Sequence, residues 1–228
     1  MSEGVEKPNV LENSSFFANV PDSVREGILS CARPKRFTTR QLIYVIDDPI
    51  DEIFFLVDGC AKVTQLTRSG EEVVLRIAAP GELIGELGAM PGSVHSSTAR
   101  ALHDCDALVW SVEAFEAALL RYPALQRNVN NILGRRVSEM EGRIRRIATE
   151  LASNRVASEL MRLSDQMGQR VNGHVEIYIP QEALAQMTAM DTFTVNRTLT
   201  GLENQGLLRI RRKCIEIHDT PGLSGLCM

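Results

Sequence analysis

The chain has 228 residues, 44% of them hydrophobic and 24% charged, with a formal net charge of -4; that is room for one large domain or two ordinary ones, each with its own core. No stretch approaches the roughly 20 apolar residues that cross a bilayer, and the polar start MSEGVEKPNVLENSS lacks the apolar run of a signal peptide. Five scattered cysteines (Cys31, Cys60, Cys105, Cys214, Cys227) with no C-x-x-C pair suit reduced thiols, so secreted, membrane and disulfide-scaffold proteins are excluded and a cytoplasmic one is expected.

Residues 1–14 read as a polar tail, followed by a short helix over 22–32. From about Phe37 to Trp110 the chain reads as short strands, over 42–46, 53–57, 61–66, 72–77, 98–102 and 107–110. Turn signals separate them at Asp58-Gly59, Ser69-Gly70, Pro80-Gly81 and Pro91-Gly92, and Ser69-Gly70 between two alternating runs is a hairpin signature. Many short strands at this spacing predict a sandwich or barrel. A helix from Val112 follows, with Ser111 as its N-cap and Tyr122-Pro123 as its end.

Beyond Pro123 the pattern changes. Leu133, Val137, Met140, Ile144, Ile147 and Leu151 recur at steps of four and three, the narrow seam of a coiled coil. A helix packed on its own domain normally shows a wider apolar face, so the spacing predicts a dimer helix between two copies of the chain. Gly142 beside the seam costs roughly 1 kcal/mol relative to Ala, so more than propensity must hold the helix there. Charge is uneven as well. Arg135, Arg136, Arg143, Arg145 and Arg146 cluster on this helix, and Arg209, Arg211, Arg212 and Lys213 follow later, whereas the front half carries Asp47-Asp48 and Asp51-Glu52. That asymmetry points to two domains with different partners.

The last third predicts a helix through Val156, Leu160 and Leu163, a loop marked by Gly168 and Asn172-Gly173, and a strand over 175–179. A short helix over 180–187, a tight connection Thr188-Ala189-Met190, and a second helix capped by Asp191 and closed by Gly206 come next. Two strands with a basic tip complete a winged helix-turn-helix. In the second helix Val195, Leu199 and Leu202 share the face to be buried. Thr192, Phe193, Asn196, Arg197 and Thr200 fall on the other, a set suited to a major groove: Arg197 matches guanine O6 and N7, Asn196 adenine, and Phe193 a thymine methyl. Thr192 and Thr194 sit where phosphate oxygens meet a helix N-terminus. The tip Arg211-Arg212-Lys213 reads as a phosphate anchor.

Four stretches carry a family resemblance: E-I-F-F-L-V-D-G-C-A-K-V (52–63), G-E-L-I-G-E-L-G (81–88), S-T-A-R-A-L (97–102) and G-L-L-R-I-R-R-K-C-I-E-I (206–217). With the order of the elements, the chain from about Phe16 to His218 resembles the catabolite activator/FNR family of bacterial transcription regulators. The resemblance implies an α+β fold in four parts: a tail (1–14), an effector-sensing β-roll, or jelly roll, of the cyclic nucleotide-binding type (15–122), a dimerisation helix (123–152) and a winged helix-turn-helix (153–228). It further implies a homodimer on double-stranded DNA with an inverted-repeat site, contact with RNA polymerase, no membrane partner, and a hinge near Ala152-Ser153.

The same resemblance places an effector pocket at Gly85, Glu86, Leu87, His95, Ser96, Ser97, Arg136, Met140 and Glu141. In its cAMP-binding members Gly-Glu-Leu and a following Arg-Ser hold the ribose and the cyclic phosphate. Here Gly85-Glu86-Leu87 stands, but His95 takes the Arg position before Ser96, in a loop one residue shorter. A bidentate Arg answers the phosphate charge; a His, mostly neutral at pH 7, does not. Met140 and Glu141 stand where hydroxyls usually meet adenine. The expected effector is therefore unidentified, and not cAMP. An iron–sulfur cluster needs N-terminal cysteines, and none precedes Cys31. Haem stays open through His95 or His103, and a thiol switch through Cys60 or Cys105. On the recognition helix Phe193 stands where the family commonly has Glu, four residues before Arg197, so the usual half-site is not expected. Ala189, at a turn position often held by Gly, asks for slightly different backbone angles.

One competing reading is a cyclic-nucleotide-binding module whose C-terminal domain contacts protein; the basic wing speaks against it. Another is a metal enzyme of the cupin kind, but Val94-His95-Ser96 and Leu102-His103-Asp104 give no H-x-H pair of ligands. No metal site and no catalytic residue is expected.

Overall fold

The computed structural model describes residues 10–68, 70–87 and 92–227. The chain divides into two compact units, one comprising the chain up to Gln65 with Leu75–Ser138, the other Leu66–Val74 with the chain from Glu139 on.

In the first unit α1 (Asp22–Leu29) leads into two four-stranded sheets. One has the order β1 (Arg33–Phe37), β8 (Cys105–Ser111), β3 (Glu52–Asp58), β6 (Leu83–Ile84). The other has the order β2 (Leu42–Tyr44), β7 (Thr98–Ala101), β4 (Ala61–Leu66), β5 (Glu72–Ala78). Period-2 geometry explains the core. Phe54 and Leu56 on β3 point with Phe37, Ala107 and Val109 toward Tyr44, Ala61, Val63, Ala99 and Ala101 of the second sheet. Ile53 and Phe55 point the other way, into a layer with Phe16, Trp110, Phe115 of α2 (Val112–Arg121) and Leu125, Val129 and Ile132 of α3 (Pro123–Thr149). Strand β3 is thus buried on both faces, and its run Ile-Phe-Phe-Leu reads as continuous apolarity. Trp110 Nε1 donates to Ile28 O at 2.9 Å, which ties the sheet to α1. Gly59 turns at φ +74°, with Asp104 O only 1.9 Å from where a Cβ would stand, so no other residue fits.

The second unit packs α4 (Ala152–Met167), α5 (Gln181–Thr188) and α6 (Thr192–Asn204) around Val156, Leu160, Leu163, Leu184, Val195 and Leu199, all fully buried. An antiparallel sheet accompanies them, in the order β11 (Leu208–Arg211), β12 (Cys214–Ile217), β10 (His174–Ile177), β9 (Gln169–Val171). Ile177, Ile215 and Ile217 face inward from that sheet, and α7 (Thr220–Gly225) closes the chain.

Several expectations change. The first helix stops at Leu29 rather than residue 32, because β1 begins at Arg33 and pairs with β8. The loop marked by Gly168 and Asn172-Gly173 narrows to a two-residue hairpin tip at Asn172-Gly173, both φ positive (45° and 88°), because residues 169–171 form β9 and pair with β10. Val10 and Leu11, assigned to the polar tail, pack on the helix-side core, and Ser14 Oγ donates to Gly81 O at 2.8 Å. The long helix ends at Thr149; Leu151 is the extended N-cap of α4, so the break lies at 150–151, just before Ala152-Ser153. Ala189 keeps the glycine-type conformation, φ +53° and ψ +49°, instead of relaxing to different angles. Ser69, of the hairpin between β4 and β5, and Pro91 lie outside the described residues.

Candidate nucleic-acid interface and effector pocket

The second unit presents α6 through a closed local network. Asp191 Oδ1 accepts from Thr194 N at 2.8 Å and Oδ2 accepts from Thr194 Oγ1 at 2.7 Å. These bonds hold the Asp191 carboxyl below its usual range. The Thr194 hydroxyl proton, assigned above to phosphate, is therefore committed to the cap; Thr194 positions the helix start. Val195, Leu199 and Leu202 anchor one face. Thr192, Phe193, Asn196, Arg197 and Thr200 are exposed on the other, with Phe193 77% exposed. A phenylalanine bare to water on a rigid helix is the unusual feature, since such rings normally bury.

The β11–β12 tip closes on the pair Arg211 with Cys214, and Lys213 adopts φ +61°. Arg211 Nε donates to Glu216 Oε1 at 2.9 Å, so part of its fork is committed, while Arg212 and Lys213 stand exposed. A groove of about 390 Å³ runs beside this tip, between Arg211, Arg212 and Lys213 on one side and Gln181 and Glu182 of α5 on the other.

In the first unit Glu86, His95, Ser96 and Ser97, expected at an effector pocket, lie close together around Tyr44. Gly85 turns at φ +113° and is buried. Glu86 Oε1, the carboxylate available to a ribose, accepts from Ser96 N at 3.0 Å and from Ser96 Oγ at 2.8 Å. His95 is 3% exposed and lies flat on Tyr44, and its Nδ1 has no hydrogen-bond partner among the described residues. Burial pushes His95 below the usual imidazole range, with Glu86, Asp48 and Asp51 pulling the other way. Ser97 is buried and bonds Tyr44, whose hydroxyl burial pushes upward. Leu87 is half-buried.

Two arginines stand beside these residues: Arg136, expected from the sequence, and Arg76, which sequence reasoning misses. Arg76 on β5 donates to Glu82 Oε2 and to Leu83 O, each at 3.3 Å. Arg136 Nη2 donates to the same Leu83 O at 2.5 Å. Burial, then the neighbouring Arg76, brings Arg136 down to about 10. Arg76 sits one residue before Ile77 on a strand whose inward residues are apolar; only pairing with α3 would have singled it out. Met140 and Glu141 belong to the second unit and are exposed. In the seam, Val137 (55%), Met140 (63%) and Ile144 (67%) are exposed, whereas Leu133 packs against the core of its own unit. His103 sits in a turn and is half-buried. Cys60 and Cys105 are buried, and burial pushes both thiols up to about 12, which opposes a reactive thiolate.

Comparison with known proteins matches these two units separately. Residues 34–122 match the cyclic nucleotide-binding domain family, and residues 154–226 match the Crp-like helix-turn-helix domain family. A relative described as a CRP-like cAMP-activated global transcriptional regulator, from Mycobacterium tuberculosis, is 22% identical over 94% of this chain and 97% of its own. The transcriptional regulatory protein btr of Bordetella pertussis is 25% identical over 92% of this chain and 86% of its own. The solved structure of FixK2 from Bradyrhizobium japonicum superposes with a TM-score of 0.76 at 20% identity, covering 86% of this chain and 98% of that one. Among the described residues no helix is long and apolar enough to cross a membrane.

Proposed function

Because the chain belongs to the catabolite activator/FNR family of transcription regulators, we propose that it acts as a cytoplasmic homodimer that reads an inverted repeat in double-stranded DNA and meets RNA polymerase there. The observation that carries this reading is the exposed face of α6. Thr192, Phe193, Asn196, Arg197 and Thr200 project from a helix fixed by Asp191 at its start and by three buried side chains behind. Arg197 reads guanine, Asn196 reads adenine, and Phe193 contacts a thymine methyl, because a ring cannot accept from cytosine as a Glu would. Arg212 and Lys213 hold phosphates from the wing. The family's members are transcription regulators rather than enzymes, and this chain shares that character: it has no catalytic role.

The β-roll takes an effector other than cAMP. His95 lies under Tyr44 and is driven toward its neutral form, so it supplies no charge for a cyclic phosphate. Glu86 is already capped by Ser96. An acidic effector would instead be answered by Arg76 and Arg136, which converge on Leu83 O.

Selection of bound duplexes from a randomised pool tests the DNA reading. It expects two half-sites in inverted order, about one helical turn between centres. Enrichment of a single unpaired site, or of none, overturns it. Calorimetric titration of the same protein with cAMP expects no heat of binding.

A further inference from the structure

Strand β10 carries His174-x-Glu176, and β12 carries Glu216 with His218 one residue past its end, a mirrored motif. Their antiparallel register sets Glu176 directly opposite Glu216, and Val175 opposite Ile217. Side chains alternating along each strand put His174, Glu176 and Glu216 on the face turned away from buried Ile177, Ile215 and Ile217, and His218 joins them beside Glu216. Two of the chain's four histidines meet here, with their rings stacked at 4.9 Å.

Carboxylates directly opposite each other on a sheet repel, and the surroundings divide their oxygens into two sets. Tyr178 OH donates to Glu176 Oε2 at 2.5 Å, and Arg211 Nε donates to Glu216 Oε1 at 2.9 Å. The other oxygens face imidazoles: Glu176 Oε1 is 3.2 Å from His174 Nε2, and Glu216 Oε2 is 3.3 Å from His218 Nε2. Those separations are close to the roughly 3.3–3.6 Å edge of a tetrahedron of nitrogen and oxygen ligands about 2.0–2.2 Å from a zinc-sized ion. Donor atoms of His174, Glu176 and Glu216 all lie within 4.8 Å of one another, and His218 Nε2, against Glu216 Oε2, stands next to this trio as a fourth donor. An outer donor on the free oxygen of each ligating carboxylate is the arrangement that orients metal ligands.

We propose that His174, Glu176, Glu216 and His218 form a binding site for a divalent transition-metal ion of the zinc class, clasping β10 to β12 beneath the wing. Two imidazoles select such an ion over magnesium or calcium, which favour all-oxygen shells. Two carboxylates balance its charge. The site is independent of the DNA reading, since both partner strands belong to the fold of the second unit whatever α6 contacts.

The test uses the untagged full chain, stripped with chelator and titrated with Co(II) alone, then with Zn(II) in competition. One equivalent per chain is expected, with visible ligand-field bands of low symmetry and no thiolate charge-transfer band; Zn(II) abolishes them. His174→Gln and Glu216→Gln should each lose the bands while keeping the far-ultraviolet dichroism of the parent. Tyr178→Phe, which removes only the outer donor, should weaken binding about tenfold. Absence of a stoichiometric Co(II) site, a thiolate band, or binding unchanged in both ligand variants overturns the proposal. Should a ligand variant fail to fold, His218→Gln, at a more exposed position, reads the same loss of affinity.

Discussion

His95 lies face to face with Tyr44, ring centroids 3.9 Å apart and planes within 9° of parallel. The stack buries a titratable ring, and it sets a pH dependence. Burial lowers the His95 pKa from 6.5, so in acid the unfolded chain binds a proton that the folded one refuses. Stability from this group is therefore complete above the unfolded value and is lost as pH falls from about 6.5 toward the lower folded value. Thermal unfolding of the full chain at pH 7.5 and 5.5 should show that decline. His95→Phe, which keeps a ring on Tyr44 without a titrating nitrogen, should shrink it; an equal decline in both proteins would contradict the assignment.

Ala189 gives a second expectation. At φ +53° it holds a left-handed conformation in the connection between α5 and α6, which costs a residue with a Cβ roughly 1–2 kcal/mol. Its amide still donates to Gln186 O and the next amide to Ala185 O, so the turn over-determines the strain. Ala189→Gly should raise the stability of the C-terminal unit by about 1 kcal/mol, less the entropy glycine loses on folding. Urea unfolding measures it, and an unchanged or lower midpoint would mean that the backbone there is not strained.

That turn also shows where the sequence was legible. Helix α6, its Asp191 cap and the positive-φ Gly206 after it stand where capping chemistry puts them, because caps are local. Strand β4 matches its expected bounds, since Ala61, Val63 and Leu66 sit between turn residues. The failures are non-local. Strand β1, Arg-Pro-Lys-Arg-Phe, has one buried residue and is a strand only because β8 pairs with it. Strand β6 has two residues, too few for any period. Arg76, unlike Arg136, is not singled out by the sequence, because it joins Arg136 at Leu83 O from 60 positions away. The pairs His174-x-Glu176 and Glu216-x-His218 were visible as period-2 motifs, but their opposition depends on a strand register that spacing alone does not give.

The α6 surface and the wing tip should fail differently when changed. With Arg197 as the proposed base reader, Arg197→Ala should cost about 1–3 kcal/mol of preference for the selected site over scrambled DNA. Arg212→Ala removes a phosphate contact and should weaken every sequence alike, lowering the slope of log affinity against log salt by about one. Arg211 is committed to Glu216, so its replacement should disturb the hairpin as well as binding. Fluorescence anisotropy over a salt series separates these outcomes. If Arg197→Ala weakens all duplexes equally, that side chain is a phosphate contact.

The apolar seam of α3 is where the proposed dimer would form. Val137, Met140 and Ile144 follow steps of three and four, yet each is more than half exposed, while Leu133 at the same stripe is covered by its own core. Leu151 leaves the helix altogether, so such a contact would span about two heptads ending at Ile147. Two heptads are too few for an isolated coiled coil, since short helices are marginal in water without packing, and Met140 stands at the middle of the stretch. Met140→Glu places a carboxylate opposite its own symmetry copy and should give monomers in sedimentation at micromolar concentration. Ser138→Glu, two positions earlier on an exposed surface outside the seam, should leave the dimer intact. Each monomer would keep its α6 surface yet hold only one half-site, so affinity for the inverted repeat should fall toward that for a single half-site. A Met140→Glu protein that stays dimeric would place the subunit contact somewhere other than this helix.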